Sequence, residues 1–338
     1  MAKLGQKPSK TEKLMMDFLP RKDYVVHYKN LQYYLSRGMK LQRVKSAIEF
    51  NQEKWMKSYI DMNSELRAKT ESDFEKDFFK LMNNAVFGKT MENKRNRMDF
   101  QIFNQKTQKK KILHQIASPF FEKQIIYPQG FVGIVKRHSE VYLNKPIYTR
   151  MTILDNSKIV MYRDHEDRKK KYGDKTESMY RDTDSDVVQI QTEDMYKDMV
   201  GDDRFDTSNY PKEHPLYSEK NKKVLGKMKD EMGGMPIREF CGIRAKMYSF
   251  LTEDGTERKK AKGVAKATLQ QIQHEDFKNA IFNQEQYFHV MRMIRSDKHE
   301  IHTIEQMKKT LNAMDDKRYI LKDGINTLAY GHFRIKKI

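Results

Sequence analysis

Cysteine is almost absent: Cys241 is the single one in 338 residues. That excludes an intrachain disulfide framework and a cysteine-based zinc site. It fits a reducing intracellular compartment, and Cys241 reads as a packed residue rather than a nucleophile. Eight Pro and 15 Gly are too few for long disorder. No apolar run is long enough to span a bilayer. The Lys-rich start has no apolar core, so it does not read as a secretory signal. No internal repeat is visible. What the chain has in excess is positive charge: 66 Lys and Arg against 47 Asp and Glu, a net of +19. Clusters stand at Lys109–Lys111, Arg168–Lys171, Lys220–Lys223 and Arg258–Lys260. Each alone reads as a solvated face, but together they make a polyanion the expected partner. A membrane surface matches the charge, yet no strongly amphipathic lipid-binding helix accompanies it, so no membrane partner is expected. The length allows two or more domains.

Residues 1–13 read as a loose basic lead. From Tyr24 to about Arg97 the pattern is mainly helical, with breaks near Gly38 and around Asn63 to Ser72. Residues 99–146 mix short apolar runs with Pro119, Pro128 and Gly130 and predict strands and loops. A helix is expected over 147–165, then a basic loop to about Lys175. Thr192 is positioned to cap a short helix ending at Val200. Residues 201–221 read as a long loop. Strand-like runs return at 222–229, 236–251 and 257–264. A helix is expected from Thr268 to about Arg295, and a strand–turn–strand from Arg318 to Ile335 around Lys322-Asp323-Gly324.

The segment Tyr180-Arg-Asp-Thr-Asp-Ser-Asp-Val-Val-Gln-Ile190 carries the sharpest chemistry. In an extended strand or tight hairpin, Asp182 and Asp184 fall on one side of the backbone. Two such anions repel unless a cation lies between them. Mg²⁺, bound by one or two carboxylates plus substrate phosphates, answers that need. A solvated turn is the bland alternative. A calcium loop is another: Asp182, Asp184, Asp186 and Glu193 match positions 1, 3, 5 and 12 of that template, but Val187 stands where Gly is required.

Two further clusters matter. On a helix over Phe74–Phe87, the residues Phe74, Phe78, Leu81 and Ala85 form an apolar stripe. Lys76, Lys80, Asn84 and Phe87, followed by Gly88, form the opposite face and suit a nucleoside triphosphate. In Gly242-Ile-Arg-Ala-Lys-Met-Tyr-Ser249, the residues Arg244, Lys246 and Tyr248 alternate with apolar ones. Within one strand they share a face that can grip a phosphodiester backbone. Lys262-Gly263 adds a cation beside a flexible point. Either cluster can also be read as an ordinary amphipathic helix or a half-exposed strand.

The order of these clusters resembles family B DNA polymerases. Lys80-Leu-Met-Asn-Asn-Ala-Val-Phe-Gly88 is similar to their K-x-x-x-N-S-x-Y-G motif, Tyr180–Ser185 to Y-x-D-T-D-S, and Lys246-Met-Tyr248 to K-x-Y. The wider wording resembles the protein-primed branch, above all polymerases of Polinton/Maverick-type mobile elements and related viruses. The supporting text includes Tyr24–Tyr28, Lys89–Asn93, Pro211–Tyr217, Tyr319–Leu321 and Thr327–Gly331, so the likeness covers nearly the whole chain.

The resemblance implies an α+β right-hand fold without the N-terminal exonuclease domain and part of the palm. It divides the chain into a basic lead (1–23), fingers helices (24–98), an insertion-like region tied to processivity (99–165), a palm remnant (166–262) and a thumb (263–338). It implies template-dependent nucleotidyl transfer from a dNTP to a primer 3′-hydroxyl, with two Mg²⁺ ions. Asp182 and Asp184 become the catalytic, metal-binding pair. Lys80, Asn84 and Gly88 would meet the nucleotide, and Arg244, Lys246, Tyr248 and Lys262 the DNA. Primer–template, dNTP and a terminal priming protein are the expected partners; a nucleus or viral replication site is a plausible location. Three departures stand out: Ala85 for Ser, Phe87 for Tyr, and Asp186 where an apolar residue is expected. The family's upstream D-x-x-S-L-Y-P metal motif and its exonuclease motifs are absent. A C-terminal fragment with weak or no activity is therefore expected. The alternative is a non-catalytic nucleic-acid-binding fragment of a decayed mobile-element polymerase, and a metal-dependent nuclease is a third reading.

Overall fold

A computed structural model describes residues 16–297, 300–315 and 317–335, so most of the expected basic lead lies outside the described residues. In chain order the first elements are α1 (Tyr28–Ser36), α2 (Lys57–Lys69), α3 (Asp73–Lys89), β1 (Asp99–Asn104), α4 (Lys109–Ile116), β2 (Phe121–Tyr127), β3 (Phe131–Lys136) and α5 (Ile147–Tyr172). Then follow β4 (Thr176–Asp182), β5 (Ser185–Ile190), α6 (Met195–Met199), β6 (Phe205–Asp206) and β7 (Met228–Lys229). The last are β8 (Ile237–Arg244), β9 (Met247–Thr252), β10 (Glu257–Ala261), α7 (Lys266–Gln271), α8 (His274–Phe282), β11 (Tyr287–Asp297), β12 (Glu300–Leu311), β13 (Tyr319–Ile320) and β14 (Thr327–Leu328). The described residues fall into two units: 27–31 with 46–156, and 16–26, 32–45 and 157–335. Helices and small, mainly antiparallel sheets occur in both.

In the 46–156 unit, α2 and α3 pack as a helical hairpin. Asp73 and Glu75 in the first turn of α3 complement the helix dipole. The face turned inward is Phe79, Met82, Asn83 and Val86, with Asn83 Nδ2 donating to Ser64 Oγ at 3.5 Å. The stripe expected to pack, Phe74, Phe78 and Leu81, is exposed instead, Phe74 to 80 %. Helix α3 carries two apolar stripes, and spacing alone does not say which one is covered. Residues 99–136 form a three-stranded sheet in the order β1-β3-β2 with α4 across it. Its core is Phe103, Ile112, Val132 and Ile134. The basic run Lys109–Lys111 thus opens a helix, where only strands and loops were expected.

In the second unit the main core joins β8, β9 and β10 to α7, α8 and the base of the β11–β12 ribbon. Cys241, Met247, Ile272, Phe277 and Leu311 lie in it. Cys241 is packed, and burial pushes its thiol up to about 11. Two expectations fail here for identifiable reasons. The basic run Arg168–Lys171 is helical, because Lys and Arg are good helix formers and cations are favoured at a helix C-terminus. The helix expected to reach Arg295 stops at Phe282, and Gln284 follows at φ +55°. Beyond it Tyr287, His289, Met291 and Met293 turn inward while Phe288, Val290, Arg292 and Ile294 turn out, a period of two. The short helix α6 is capped by Asp194, which accepts from the Tyr196 and Lys197 N–H groups; Thr192 donates to Asp198 instead.

Candidate metal and nucleic-acid site

The acidic segment is a hairpin. Strands β4 and β5 pair antiparallel, with Asp182 opposite Ser185, so Thr183 and Asp184 form the tip. Tyr180, Val187, Val188 and Ile190 are the β-branched and aromatic residues that favour this pairing. Thr183 sits at φ +58°, and the Asp184 N–H donates to the Asp182 carbonyl at 2.7 Å. A hydrogen bond across one residue at positive φ is the rare, strained γ-type turn. A β-branched residue there is an outlier.

Asp186, the third carboxylate of the acidic run, turns inward. Its carboxylate is buried and accepts from Arg168, from Arg181 at 2.8 Å and from Ser178 Oγ at 2.9 Å. Arg168 reaches it from α5 and also pairs with Asp164. Burial raises the Asp164 carboxyl above its ordinary value, outweighing the Arg168 charge. With Asp186 committed to arginines in a strand–turn–strand, the calcium-loop reading has no basis.

The β8–β9 hairpin meets the acidic tip. Lys246 Nζ lies 2.7 Å and 3.0 Å from the two Asp182 carboxylate oxygens. That ion pair is the main cause holding the Asp182 carboxyl below its ordinary value. The Lys246 N–H donates to the Tyr180 hydroxyl at 3.0 Å. Tyr180 in turn lies against Tyr248, with ring centroids 4.8 Å apart, and against Phe240 at 6.3 Å. A third strand joins through the Lys262 N–H, which donates to the Lys246 carbonyl at 2.9 Å. Asp184 is exposed.

The expected common strand face of Arg244, Lys246 and Tyr248 is not what forms. Strand β8 ends at Arg244, Ala245 and Lys246 make the turn, and Tyr248 belongs to β9. Lys246 takes φ +61° there. The turn, rather than alternation, brings Lys246 to Asp182. Of the residues expected at the site, Asp182, Lys246, Tyr248 and Lys262 are brought together, with Asp184 on the same tip and Arg244 at the end of β8.

Lys80, Asn84 and Gly88 belong to the other unit, where they share one exposed face of α3 at a spacing of four. Lys76 and Phe87 do not share it. Lys76 is turned to Glu71 and Asp73, and Phe87 is half-buried with the Arg150 guanidinium 4.9 Å from its ring. Sequence reading did not single out Arg150, which carries no motif signal, and counted Arg258 and Lys260 only as members of a basic cluster.

Asp182 and Asp184 offer two carboxylates, the donor chemistry of a hard divalent ion. Two carboxylates with phosphate and water oxygens are the set by which Mg²⁺ is usually held. The Lys246 ammonium already stands as a cation on Asp182. No group of three or more His, Cys, Asp or Glu that could hold a metal occurs among the described residues. No protein-family model, curated protein or solved structure matches the chain.

Proposed function

We propose that the chain is a DNA-directed DNA polymerase of the family B type, from the protein-primed branch, that adds nucleotides from dNTP to a primer 3′-hydroxyl on a template. The observation that carries this reading is the junction at Tyr180. There the Asp182–Asp184 tip and the Lys246-Met247-Tyr248 segment, 64 residues apart in sequence, share direct hydrogen bonds. Chance motif matches have no reason to meet.

In this reading Asp182 and Asp184 hold Mg²⁺ at the tip. The bound ion supplies charge neutralisation and alignment for in-line transfer to the 3′-hydroxyl. Lys246 and Tyr248 hold the primer strand near its end, Lys246 by charge and Tyr248 by its ring and hydroxyl. Lys80 neutralises triphosphate charge, while Asn84 and Gly88 line the approach of the nucleotide. Phosphoryl transfer depends on positioning and electrostatics rather than covalent help from protein. Two anchoring carboxylates therefore give slow catalysis, and the activity proposed for this chain is weak. The competing reading is a non-catalytic nucleic-acid binder, favoured by one observation: the Lys246 ammonium pairs directly with the Asp182 carboxylate. Primer extension in Mg²⁺ with Asp182→Ala and Asp184→Ala separates the two. A polymerase loses extension in both variants, whereas a binder never extends and keeps its DNA affinity.

A further inference from the structure

Strand β10 is the outer strand of the β10-β9-β8 sheet, and its register sorts its side chains between two faces. Lys259 lies opposite the buried Ser249 and donates to the Ile272 carbonyl beside α7, on the core face. Arg258 and Lys260 lie opposite Phe250 and Tyr248, on the other face, and both are exposed. That second face is the one that carries Tyr248 against Tyr180. Lys262, exposed in the turn that follows β10, is tied by its N–H to the Lys246 carbonyl. Arg258 and Lys260 thus share one face of the strand, and Lys262 follows them in the turn next to Lys246. Alternate residues of a strand are separated by about 6.6 Å. Neighbouring phosphates of an extended nucleic-acid strand have a similar separation. The intervening Glu257 and Lys259 pair with each other at 3.3 Å.

We propose that Arg258 and Lys260, with Lys262, form a phosphate track that carries the DNA strand whose end lies at Lys246 and Tyr248. The inference rests on the polymerase reading for the identity of the strand, and it assigns Arg258 and Lys260 a role beyond surface charge. Each cation takes one phosphate, so each contributes sequence-independent, salt-sensitive affinity. The alternative is that the lysines only protect an exposed sheet edge from pairing with another chain.

The test is fluorescence anisotropy of the full chain with a labelled primer–template, titrated across about 50–200 mM salt. Arg258→Gln and Lys260→Gln should each reduce the slope of log affinity against log salt by about 0.7–0.9, and the double variant by about twice that. Arg258→Lys with Lys260→Arg should retain the wild-type slope, which separates charge from side-chain shape. Lys197→Gln, which removes an exposed cation from α6, should leave the slope unchanged. An unchanged slope in the double variant, with wild-type binding intact, overturns the track and leaves the polymerase reading standing. Aggregation of the double variant with an unchanged slope would assign the cations to edge protection and also overturns it. Absence of DNA binding by the wild-type chain overturns both.

Discussion

Arg168→Met is the substitution whose cost the structure fixes most closely. The guanidinium bridges Asp164 and Asp186, and the three side chains are 13 %, 9 % and 5 % exposed. Removing one partner of a buried pair costs about 3–5 kcal/mol, because the charge left behind keeps its desolvation penalty. Asp186 would still have Arg181 and Ser178, and Asp164 already binds a proton more readily than usual because of burial. The lower end, about 3 kcal/mol, is therefore expected. For domains of 150–250 residues this lowers Tm by about 6–12 °C, at about 2–4 °C per kcal/mol. Urea unfolding followed by circular dichroism reads the change. Adding Asp186→Leu should recover about 2 kcal/mol, since apolar replacement of a buried ion pair is often close to neutral. A change in Arg168→Met below about 0.5 kcal/mol, or simple additivity in the double variant, would refute the claim that the hairpin base is held by this cluster.

Two further outcomes follow from the tip. Carboxyl ¹³C titration should give Asp182 a midpoint below its ordinary 3.8, and Lys246→Met should raise it. Because the folded value is depressed, the pair stabilises the fold above the ordinary value and loses that contribution as pH falls through the folded one. A midpoint at the ordinary value in the wild-type chain would mean that the contact does not persist in solution. Thr183→Gly should stabilise the chain by about 0.5–1 kcal/mol in urea unfolding, as relief of the φ +58° strain exceeds the added chain entropy. Destabilisation would show that the turn is unstrained or that the Thr183 hydroxyl matters more.

The strand–turn–strand at Asp182 and Asp184 was legible because β-branched residues flank a short polar tip. The helix over Phe74–Phe87 was equally legible, but not its buried face, since either of its two apolar stripes could pack. The strand at Tyr287–Asp297 was hidden by helix-forming Gln, Glu, Met and Arg; its alternation becomes informative only once partnered by β12. The Lys246–Asp182 contact could not be read from spacing, because a turn at positive φ delivers it. Arg168 was visible as a charge-run member, and Asp186 as a position in a calcium-loop template and a departure from a motif. Burial turned them into one structural unit, and burial depends on neighbours that are distant in sequence.

Primer extension by the full chain, on a recessed 3′ end with Mg²⁺ and all four dNTPs, tests the central claim most directly. The account predicts slow, template-directed addition that requires Mg²⁺ and disappears in both Asp182→Ala and Asp184→Ala while DNA binding persists. Extension unchanged by either substitution, or DNA binding with no nucleotide added by the wild-type chain, would contradict it.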